Sequence, residues 1–376
     1  MNGPAGSSPG RFLPPAIANE RLLTPCLAIH LPTARSNVDA VLASVGGPAR
    51  WRPHLKTTKI PELWSILLDA GVTRFKCATT HEMKHLLRIA PDADVLLAHH
   101  PTTAISERLA DLARRFPGAR LSTLCETPGS AEDLPPSIGA FVDVDPGMRR
   151  SGIDTADEGR IREVADACGN RLRGLHFYDG HLRDGDESSR RERAHAGYDR
   201  LLELDAALGG TEELVTSGTP TFLHATAHRG LRETGRHRVS PGTVVLHDLL
   251  SEALPEVARL GLEPAAAVLA HVVSHPGEDL VTINAGHKSV SADAGDPCCA
   301  ILGHPDLQPL HPSEEHLPAR APGGRRPERG TLMVLAPRHV CPTVNLAREC
   351  VLIPGPGEPI RTTTIAAGGH EPAMAE

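Results

Sequence analysis

Two short stretches of this sequence hold side chains that could do chemistry. His339 and Cys341 stand one residue apart in the stretch APRHVCPTVN, and Lys56 ends the run WRPHLK. Imidazole and thiolate are ligands that Zn²⁺ favours, whereas Mg²⁺ and Ca²⁺ prefer oxygen. Because residues i and i+2 of a β-strand point to the same side, a strand here would let both side chains bind one ion. Two protein ligands leave about two tetrahedral positions open. The pair therefore indicates a catalytic zinc site, with an unrelated histidine and a buried cysteine as the alternative.

Lysine is rare in this chain, and Lys56 is the lysine best placed for covalent chemistry. The other lysines are at positions 59, 76, 84 and 288. A lysine at the end of a buried strand loses solvation, which lowers its pKa and frees the amine to form a Schiff base. The alternative is a solvated lysine that begins a helix. Lys59 would already lie in the following helix and Lys288 falls in a later part of the chain, so neither rivals Lys56.

Two turns later in the chain carry glycine and hydroxyl side chains. Ser217, Gly218 and Thr219 form the first, and Gly242 with Thr243 forms the second. Barrel enzymes commonly hold a phosphate group in the loops after their seventh and eighth strands, through backbone N–H groups and hydroxyls. A lysine that forms a Schiff base and a phosphate-binding turn together suit pyridoxal phosphate, whose aldehyde and phosphate lie at opposite ends of the ring. Each turn alone is equally compatible with an ordinary β-turn.

An alternation of strands and helices is the scaffold that would position these residues. Eight short apolar or β-branched runs are typical of strands, at 51–56, 74–80, 94–100, 120–126, 140–145, 173–179, 213–219 and 238–246. Helix-like segments separate them, such as 155–169, in which Thr155 is the expected cap and Gly169 the expected end. The pattern predicts an α/β fold, and the count of eight βα units favours a (β/α)8 TIM-type barrel over a doubly wound open sheet.

The pattern changes near residue 258, where β-rich runs follow one another without helices between them. We therefore predict a flexible N-terminus over 1–20, a cofactor-binding barrel over 21–257 and a β-rich metal-binding domain over 258–376. The run 24–31 precedes the barrel strands and is a candidate strand of the second domain.

Composition limits the class of protein. The chain has 376 residues, 40% of them hydrophobic, and a formal net charge of −7. An acidic balance argues against a nucleic-acid partner. Neither a signal-peptide run nor the ~20 apolar residues of a membrane helix is present, so we expect a cytoplasmic protein without a membrane partner. The eight cysteines form no CxxC pair, and most are expected to be reduced thiols.

At this point the sequence resembles the family of D-threonine aldolases and D-serine dehydratases. The stretch RPHLKTTK (52–59) is similar to the family's RPHxKTHK motif. The resemblance continues in the family's order, through FKCATTHE (75–82), VDVDPGMRRSG (142–152), LHFYDGH (175–181), VTSGTPT (215–221), SPGTVVLHD (240–248), NAGHKSVSAD (284–293), SEEH (313–316) and PRHVCPTVN (337–345). It implies a fold-type III pyridoxal phosphate enzyme, with an alanine-racemase-like barrel, a C-terminal β domain and a homodimeric assembly.

The resemblance also assigns roles to individual residues. It makes Lys56 the Schiff-base lysine, places Arg150 near the pyridine edge and Tyr178 beside the cofactor, and makes His339 and Cys341 the metal ligands. The matching phosphate-binding positions are Ser217, Gly218, Thr219, Gly242 and Thr243.

The resemblance implies a lyase that acts on a small-molecule D-3-hydroxyamino acid. Aldolases of the family tend to carry His-x-Asp and dehydratases His-x-Cys, so Cys341 favours dehydration of D-serine or a related substrate to a 2-oxo acid and ammonia, with zinc as the metal. The alternative is a D-threonine-type aldolase that releases glycine and an aldehyde, for which Mn²⁺ or Mg²⁺ would also serve. Tyr178 in YDGH, the TTK of the first motif and Asn284 depart from the usual pattern, which leaves the β-substituent open. Three further residues either form a solvated loop or reach the active site: Glu314, Glu315 and His316.

Overall fold

The computed structural model describes residues 8–15, 17, 22–355 and 357–372. Its strands, numbered in chain order, are β1 (Cys26–His30), β2 (Arg74–Cys77), β3 (Asp94–Leu97), β4 (Arg120–Cys125), β5 (Gly139–Asp145), β6 (Ile153–Asp154), β7 (Leu172–Phe177), β8 (Glu213–Thr216), β9 (His237–Val239), β10 (Ala266–Gly277), β11 (Leu280–Ile283), β12 (Cys299–Leu302), β13 (Gln308–Pro309), β14 (Leu317–Arg320), β15 (Leu332–Pro337), β16 (Glu349–Ile353) and β17 (Arg361–Thr364). The α-helices that it describes are Leu31–Val45, Pro61–Asp69, Thr80–Leu87, Thr103–Arg115, Pro128–Glu132, Glu158–Cys168, Glu187–Ala207, Phe222–Ala227, Arg229–Glu233, Leu249–Glu252, Pro255–Ala258 and Val340–Leu346.

Eight parallel strands form the barrel sheet, seven of them in the order β2-β3-β4-β5-β7-β8-β9, with the short β6 paired to β5. Helices connect them, as expected for βα units. Seven of the eight predicted runs are therefore strands. The eighth, 51–56, is not a regular strand but bonds to both edges of the sheet. The Arg52 amide donates to the Val239 carbonyl at 2.9 Å, and the Lys76 amide donates to the Pro53 carbonyl at 2.9 Å. Pro53 has no N–H to donate, which prevents a continuous ladder.

The C-terminal sheet has the order β13-β14-β11-β10-β1-β16-β17, with β15 paired to both β10 and β12. Most of its pairs are antiparallel, but β1 runs parallel to β16 and antiparallel to β10. The run 24–31 thus supplies a central strand of this sheet from the N-terminal side of the barrel.

Part of the predicted flexible segment 1–20 lies outside the described residues, namely 1–7, 16 and 18–20. Within the described part, Pro9–Phe12 forms a short 3-10 helix and Phe12 is fully buried. Phe12 packs with residues of the C-terminal sheet such as Leu269 and Val334.

The helix predicted over 155–169 shows which of its ends the local sequence predicted correctly. The helix predicted over 155–169 spans Glu158–Cys168, and Gly169 follows it with φ +55°. Its cap is the Asp157 side chain, which accepts from the Arg160 amide at 3.1 Å, so Thr155 was the wrong cap. Asp and Thr both cap helices well, so the sequence alone could not distinguish Thr155 from Asp157 as the cap.

Within the described residues, no helix combines the length and the apolar character needed to cross a bilayer.

Candidate functional site

A cavity of about 360 Å³ lies at the carboxyl ends of the barrel strands. Its lining residues are His54, Lys56, Lys76, Ala78, Ala98, His99, His100, Leu124, Arg150, Ser151, His176 and Tyr178. This lining contains two lysines and an arginine, and it contains no carboxylate. A cavity of this size and charge fits a small anionic ligand, as pyridoxal phosphate with an amino acid would be.

Lys56 reaches this cavity because the segment before it is anchored inside the barrel. The Arg52 guanidinium is fully buried and bonds to Glu213 at 2.7 Å and to Asp94 at 3.0 Å. The chain then turns after the bridge at His54, whose Nδ1 accepts from the Lys56 amide at 3.3 Å. Lys56 therefore extends from a fixed turn rather than from a mobile loop.

Tyr178 lies between the cations of the cavity and one of the predicted phosphate turns. The Cζ of Arg150 is 4.8 Å from the centroid of the Tyr178 ring, a cation–π contact. A Cβ on Gly218 would lie 2.8 Å from the same ring, so the turn needs glycine to approach it. The structure thus brings Arg150, Tyr178 and Gly218 together.

The two predicted phosphate turns follow β8 and β9. Ser217 is buried with φ +62°, which turns the chain sharply after β8. The amides of Gly218 and Thr219 donate to no acceptor within the described residues. A Cβ on Gly242 would lie 2.2 Å from the carbonyl oxygen of His54, so only glycine fits there. Free N–H groups in a cradle that a side chain would fill are features of an anion site, which fits the phosphate of the cofactor.

His339 and Cys341 do not lie on a strand, so that prediction was wrong. Strand β15 ends at Pro337, His339 precedes the helix Val340–Leu346, and Cys341 is the second residue of that helix. Pro342 lies in the first helical turn, where backbone N–H groups have no partner within the helix, so its missing N–H costs nothing there. In a β-strand, the same proline would interrupt the hydrogen bonds to the neighbouring strand. The Asp248 carboxylate accepts from the Val340 amide at 3.1 Å and holds this helix to the barrel.

The two side chains nevertheless approach each other. Burial lowers the pKa of His339, but hydrogen bonding to Cys341 and Asp293 outweighs burial and raises that pKa to about 9. The pKa of Cys341 is lowered, because His339 and the charge of Lys56 outweigh its burial. A lowered pKa favours the thiolate, which is the form of cysteine that binds zinc.

Neighbouring residues place Cys341 beside the segment of Lys56 and beside one of the predicted phosphate turns. The Sγ of Cys341 is 3.0 Å from the Thr57 hydroxyl and 3.3 Å from the Thr243 hydroxyl. The Nδ1 of His339 is 2.7 Å from Asp293, which leaves Nε2 for a metal ion. The described residues contain no cluster of three or more His, Cys, Asp or Glu side chains that could hold a metal. The imidazole of His339 and the thiol of Cys341 are donors of the kind that Zn²⁺ favours.

Sequence reasoning missed several residues of the cavity. Lys76, Asp143 and His176 lie in or beside it, and contacts link them to one another and to His100. The signal was present at the end of β7, where His176 is in the strand and Tyr178, two residues on, directly follows it. Polar side chains at i and i+2 of a buried parallel strand indicate an inward-facing polar surface.

Other residues that the sequence singled out have structural contacts instead. The Lys59 amine is buried against Glu82 at 2.9 Å, and Lys288 pairs with Glu314 and Glu315 at the surface. Asn284 accepts from the His271 amide at 2.6 Å and donates to the Thr24 carbonyl at 3.0 Å, inside the C-terminal domain. His316 is exposed.

Similar proteins are found by sequence and by fold. D-threonine aldolase from Arthrobacter sp is 26% identical over 351 residues, which cover 89% of this chain and 89% of the relative. The crystal structure of D-threonine aldolase from Filomicrobium marinum matches with a TM-score of 0.82 and 23% identity, covering 92% of this chain and 96% of that chain.

D-threo-3-hydroxyaspartate dehydratase from Delftia sp. HT23 matches with a TM-score of 0.77 and 20% identity, covering 93% of this chain and 98% of that chain. A cysteine-to-alanine variant of a D-threo-3-hydroxyaspartate dehydratase is described in a metal-free form. These likenesses confirm the predicted fold class, a barrel followed by a C-terminal β domain.

Two family models divide the chain between them. The model "Putative serine dehydratase domain" matches residues 265–353, and the model "Alanine racemase, N-terminal domain" matches residues 29–246, more than half of the chain. The resemblance drawn from the motifs is confirmed, and the chain belongs to the family of the alanine racemase N-terminal domain, here joined to a serine dehydratase-type C-terminal domain.

Proposed function

We propose that this protein is a lyase that uses pyridoxal phosphate and a divalent metal, with a D-3-hydroxyamino acid as its substrate. The observation that carries the proposal is the contact between the two candidate ligand sites. The Sγ of Cys341 touches Thr57, which is next to Lys56, and Thr243, which belongs to a phosphate turn. A substrate bound through its amine beside Lys56 would have its β-oxygen within the reach of a metal on Cys341 and His339.

The chemistry divides between the bound groups and the side chains of this chain. When bound, pyridoxal phosphate supplies a ring that accepts electrons from the α-carbon, and a metal ion supplies a Lewis acid for the β-oxygen. Lys56 takes the proton from the α-carbon. Arg150 and Tyr178 form part of the cavity wall, and the contact of 4.8 Å between the Arg150 Cζ and the Tyr178 ring centroid holds their side chains in place. Gly218 and Thr219 offer backbone N–H groups to the phosphate.

We propose dehydration as the reaction, giving a 2-oxo acid and ammonia. The support is Cys341, which takes the place of the aspartate that aldolases of this family tend to carry. A thiolate beside an imidazole suits Zn²⁺ better than Mg²⁺. Aldol cleavage to glycine and an aldehyde is the second candidate, because the Arthrobacter relative is named a D-threonine aldolase.

The test is product analysis with the purified full-length protein and added pyridoxal phosphate. D-serine, D-threonine and D-threo-3-hydroxyaspartate are each incubated with and without a chelator, followed by re-addition of Zn²⁺, Mn²⁺ or Mg²⁺. A 2-oxo acid with equimolar ammonia supports dehydration, and glycine with an aldehyde supports cleavage. Activity that does not respond to the chelator contradicts the metal assignment, and equal turnover of the L-enantiomers contradicts the substrate class.

The homodimer, the cytoplasmic location and the lack of a nucleic-acid partner stay predictions.

A further inference from the structure

Lys76 is a buried amine inside the same cavity as Lys56. Its side chain projects from β2, and the residue is 1% exposed. Fully buried lysines are rare unless a carboxylate pairs with them. Lys76 has no such partner within 4 Å among the described residues, and its nearest polar contact is His176 Nε2, at 3.5 Å from Nζ.

A histidine and a carboxylate fix the direction of the Lys76 amine. The Nδ1 of His176 is 2.7 Å from Asp143, which also accepts from Ser151 at 2.9 Å and lies 3.0 Å from His100 Nε2. Burial alone would raise the pKa of Asp143, but the hydrogen bonds from His100 and His176 outweigh burial and hold that pKa below its usual range. The ionised Asp143 therefore accepts a hydrogen bond from the Nδ1–H of His176, and Nε2 presents its lone pair to Lys76.

The histidines that line the cavity already have hydrogen-bond partners. His99 bonds to the carbonyl of its neighbour, His100 is tied to Asp143, and His54 accepts from the Lys56 amide. Arginine keeps its proton in proteins, so Arg150 cannot exchange one. Apart from Lys56, this leaves Lys76 and the Tyr178 hydroxyl as the lining groups that can gain and lose a proton, and Lys76 is the one that His176 orients.

The charges around Lys76 support this assignment. Burial and the charge of Lys56, together with those of Arg150 and Arg52, lower the pKa of Lys76 to about 7, although Asp143 opposes the change. The charged and titratable groups that face Lys76 from the surrounding elements are His54, Lys56, Arg52, Asp143, Arg150, His176 and Tyr178. A group that titrates near neutral pH is suited to acid–base catalysis.

We propose that Lys76 is the second proton-transfer group of the cavity and exchanges a proton with the substrate's β-oxygen while Lys56 serves the α-carbon. This inference rests on the proposed function for its substrate. In dehydration the carbon–oxygen bond breaks with its electron pair on oxygen. The proton on the Lys76 ammonium then forms the second O–H bond of water. The proton that Lys56 removed from the α-carbon returns Lys76 to its ammonium form. His176 and Asp143 are positioning residues for the amine.

The first experiment is independent of turnover. The holoenzyme is treated with trace acetic anhydride from pH 5 to 11, and acetylation of each lysine is followed by mass spectrometry. Only five lysines have to be separated, and Lys288 is the internal control because it lies at the surface with its pKa raised by Glu314 and Glu315. We expect half-maximal reactivity of Lys76 near pH 7, well below that of Lys288. A Lys76 that follows Lys288, or that never reacts, overturns the proposal.

The second experiment uses the substrate that the product analysis identifies. Lys76→Met should lower kcat by roughly 100-fold with little change in KM. It should also remove the fall in kcat that dehydration by the wild type shows above pH 7. Lys76→Arg should not restore activity, whereas ammonium or methylammonium should partly restore Lys76→Ala. Lys288→Met should behave as the wild type.

The outcomes separate this inference from the proposed function. A kcat and pH profile unchanged in Lys76→Met would overturn it even with dehydration established. If the wild type turns over none of the D-substrates, the proposed function fails, while the acetylation result still decides whether the cavity holds a neutral amine.

Discussion

The buried Arg52 is expected to anchor the segment that contains Lys56. Replacing Arg52 should therefore lower the free energy of unfolding. Its side chain is fully buried, and it bonds to Glu213 and Asp94, whose own side chains are 4% and 9% exposed. It also donates to the Phe75 carbonyl at 3.1 Å. Arg52→Met keeps most of the volume but leaves two buried carboxylates without their main cation. Breaking a buried pair in this way costs about 3–5 kcal/mol.

The effect should be visible in thermal unfolding. An unfolding entropy of about 2.1 cal/mol/K per residue gives roughly 0.8 kcal/mol/K for this chain, so Arg52→Met should lower Tm by about 4–6 °C. The matched control is Arg74→Met, since Arg74 approaches the same Glu213 at 3.8 Å but is 31% exposed. An exposed pair contributes about 0–1 kcal/mol, and the control should shift Tm by about 1 °C or less.

Acid unfolding provides a second readout for the same substitution. Burial alone would raise the pKa of Asp94, but Arg52 and Arg173 outweigh it and lower that pKa. The ionised Asp94 therefore contributes stability above its unfolded pKa of about 3.9, and the contribution is lost as pH falls through the lower folded value. Arg52→Met should begin to unfold at higher pH than the wild type. If Arg52→Met and Arg74→Met had equal Tm values, the buried network would not be what anchors the Lys56 segment.

Three further predictions concern the cofactor and metal. Lys56→Ala should abolish the visible absorbance of the bound cofactor, while Lys288→Ala retains it, and a band that persists in Lys56→Ala would rule out Lys56 as the attachment point. Gly242→Ala should weaken pyridoxal phosphate binding by at least about tenfold in a fluorescence titration, since its Cβ would lie 2.2 Å from a backbone oxygen, whereas Gly129→Ala has open space and should bind normally. Cys341→Ser should lower the zinc content found by elemental analysis after dialysis and lower activity with it; full zinc occupancy in that variant would contradict the ligand assignment.

The fold and the main site residues could be predicted from the order of the motifs, because each motif reflects a local structural requirement. Ser217 must take a positive φ at the end of a strand, and Gly152 must take one close to the backbone of Asp143 and Asp145. Such requirements act through one or two neighbours and can be recognised without knowing the rest of the fold.

Other features depend on contacts between distant parts of the chain. The helix at Cys341 begins where Asp248, 92 residues earlier, accepts from the Val340 amide. The chemical setting of Lys76 comes from Asp143 and His176, on strands far from it in sequence. A lysine inside a short apolar run was visible in the sequence, but its lack of a carboxylate partner could be found only in three dimensions.

The central claim is tested most directly by the products formed from D-serine with the zinc-loaded protein. The account predicts a 2-oxo acid and ammonia in equal amounts, loss of both on adding a chelator, and recovery with Zn²⁺. Dehydration of D-serine that proceeds unchanged in the chelator would contradict the role given to His339 and Cys341. Release of glycine and an aldehyde from D-threonine, with no ammonia from any of the three D-substrates, would show that Cys341 does not report which bond is broken.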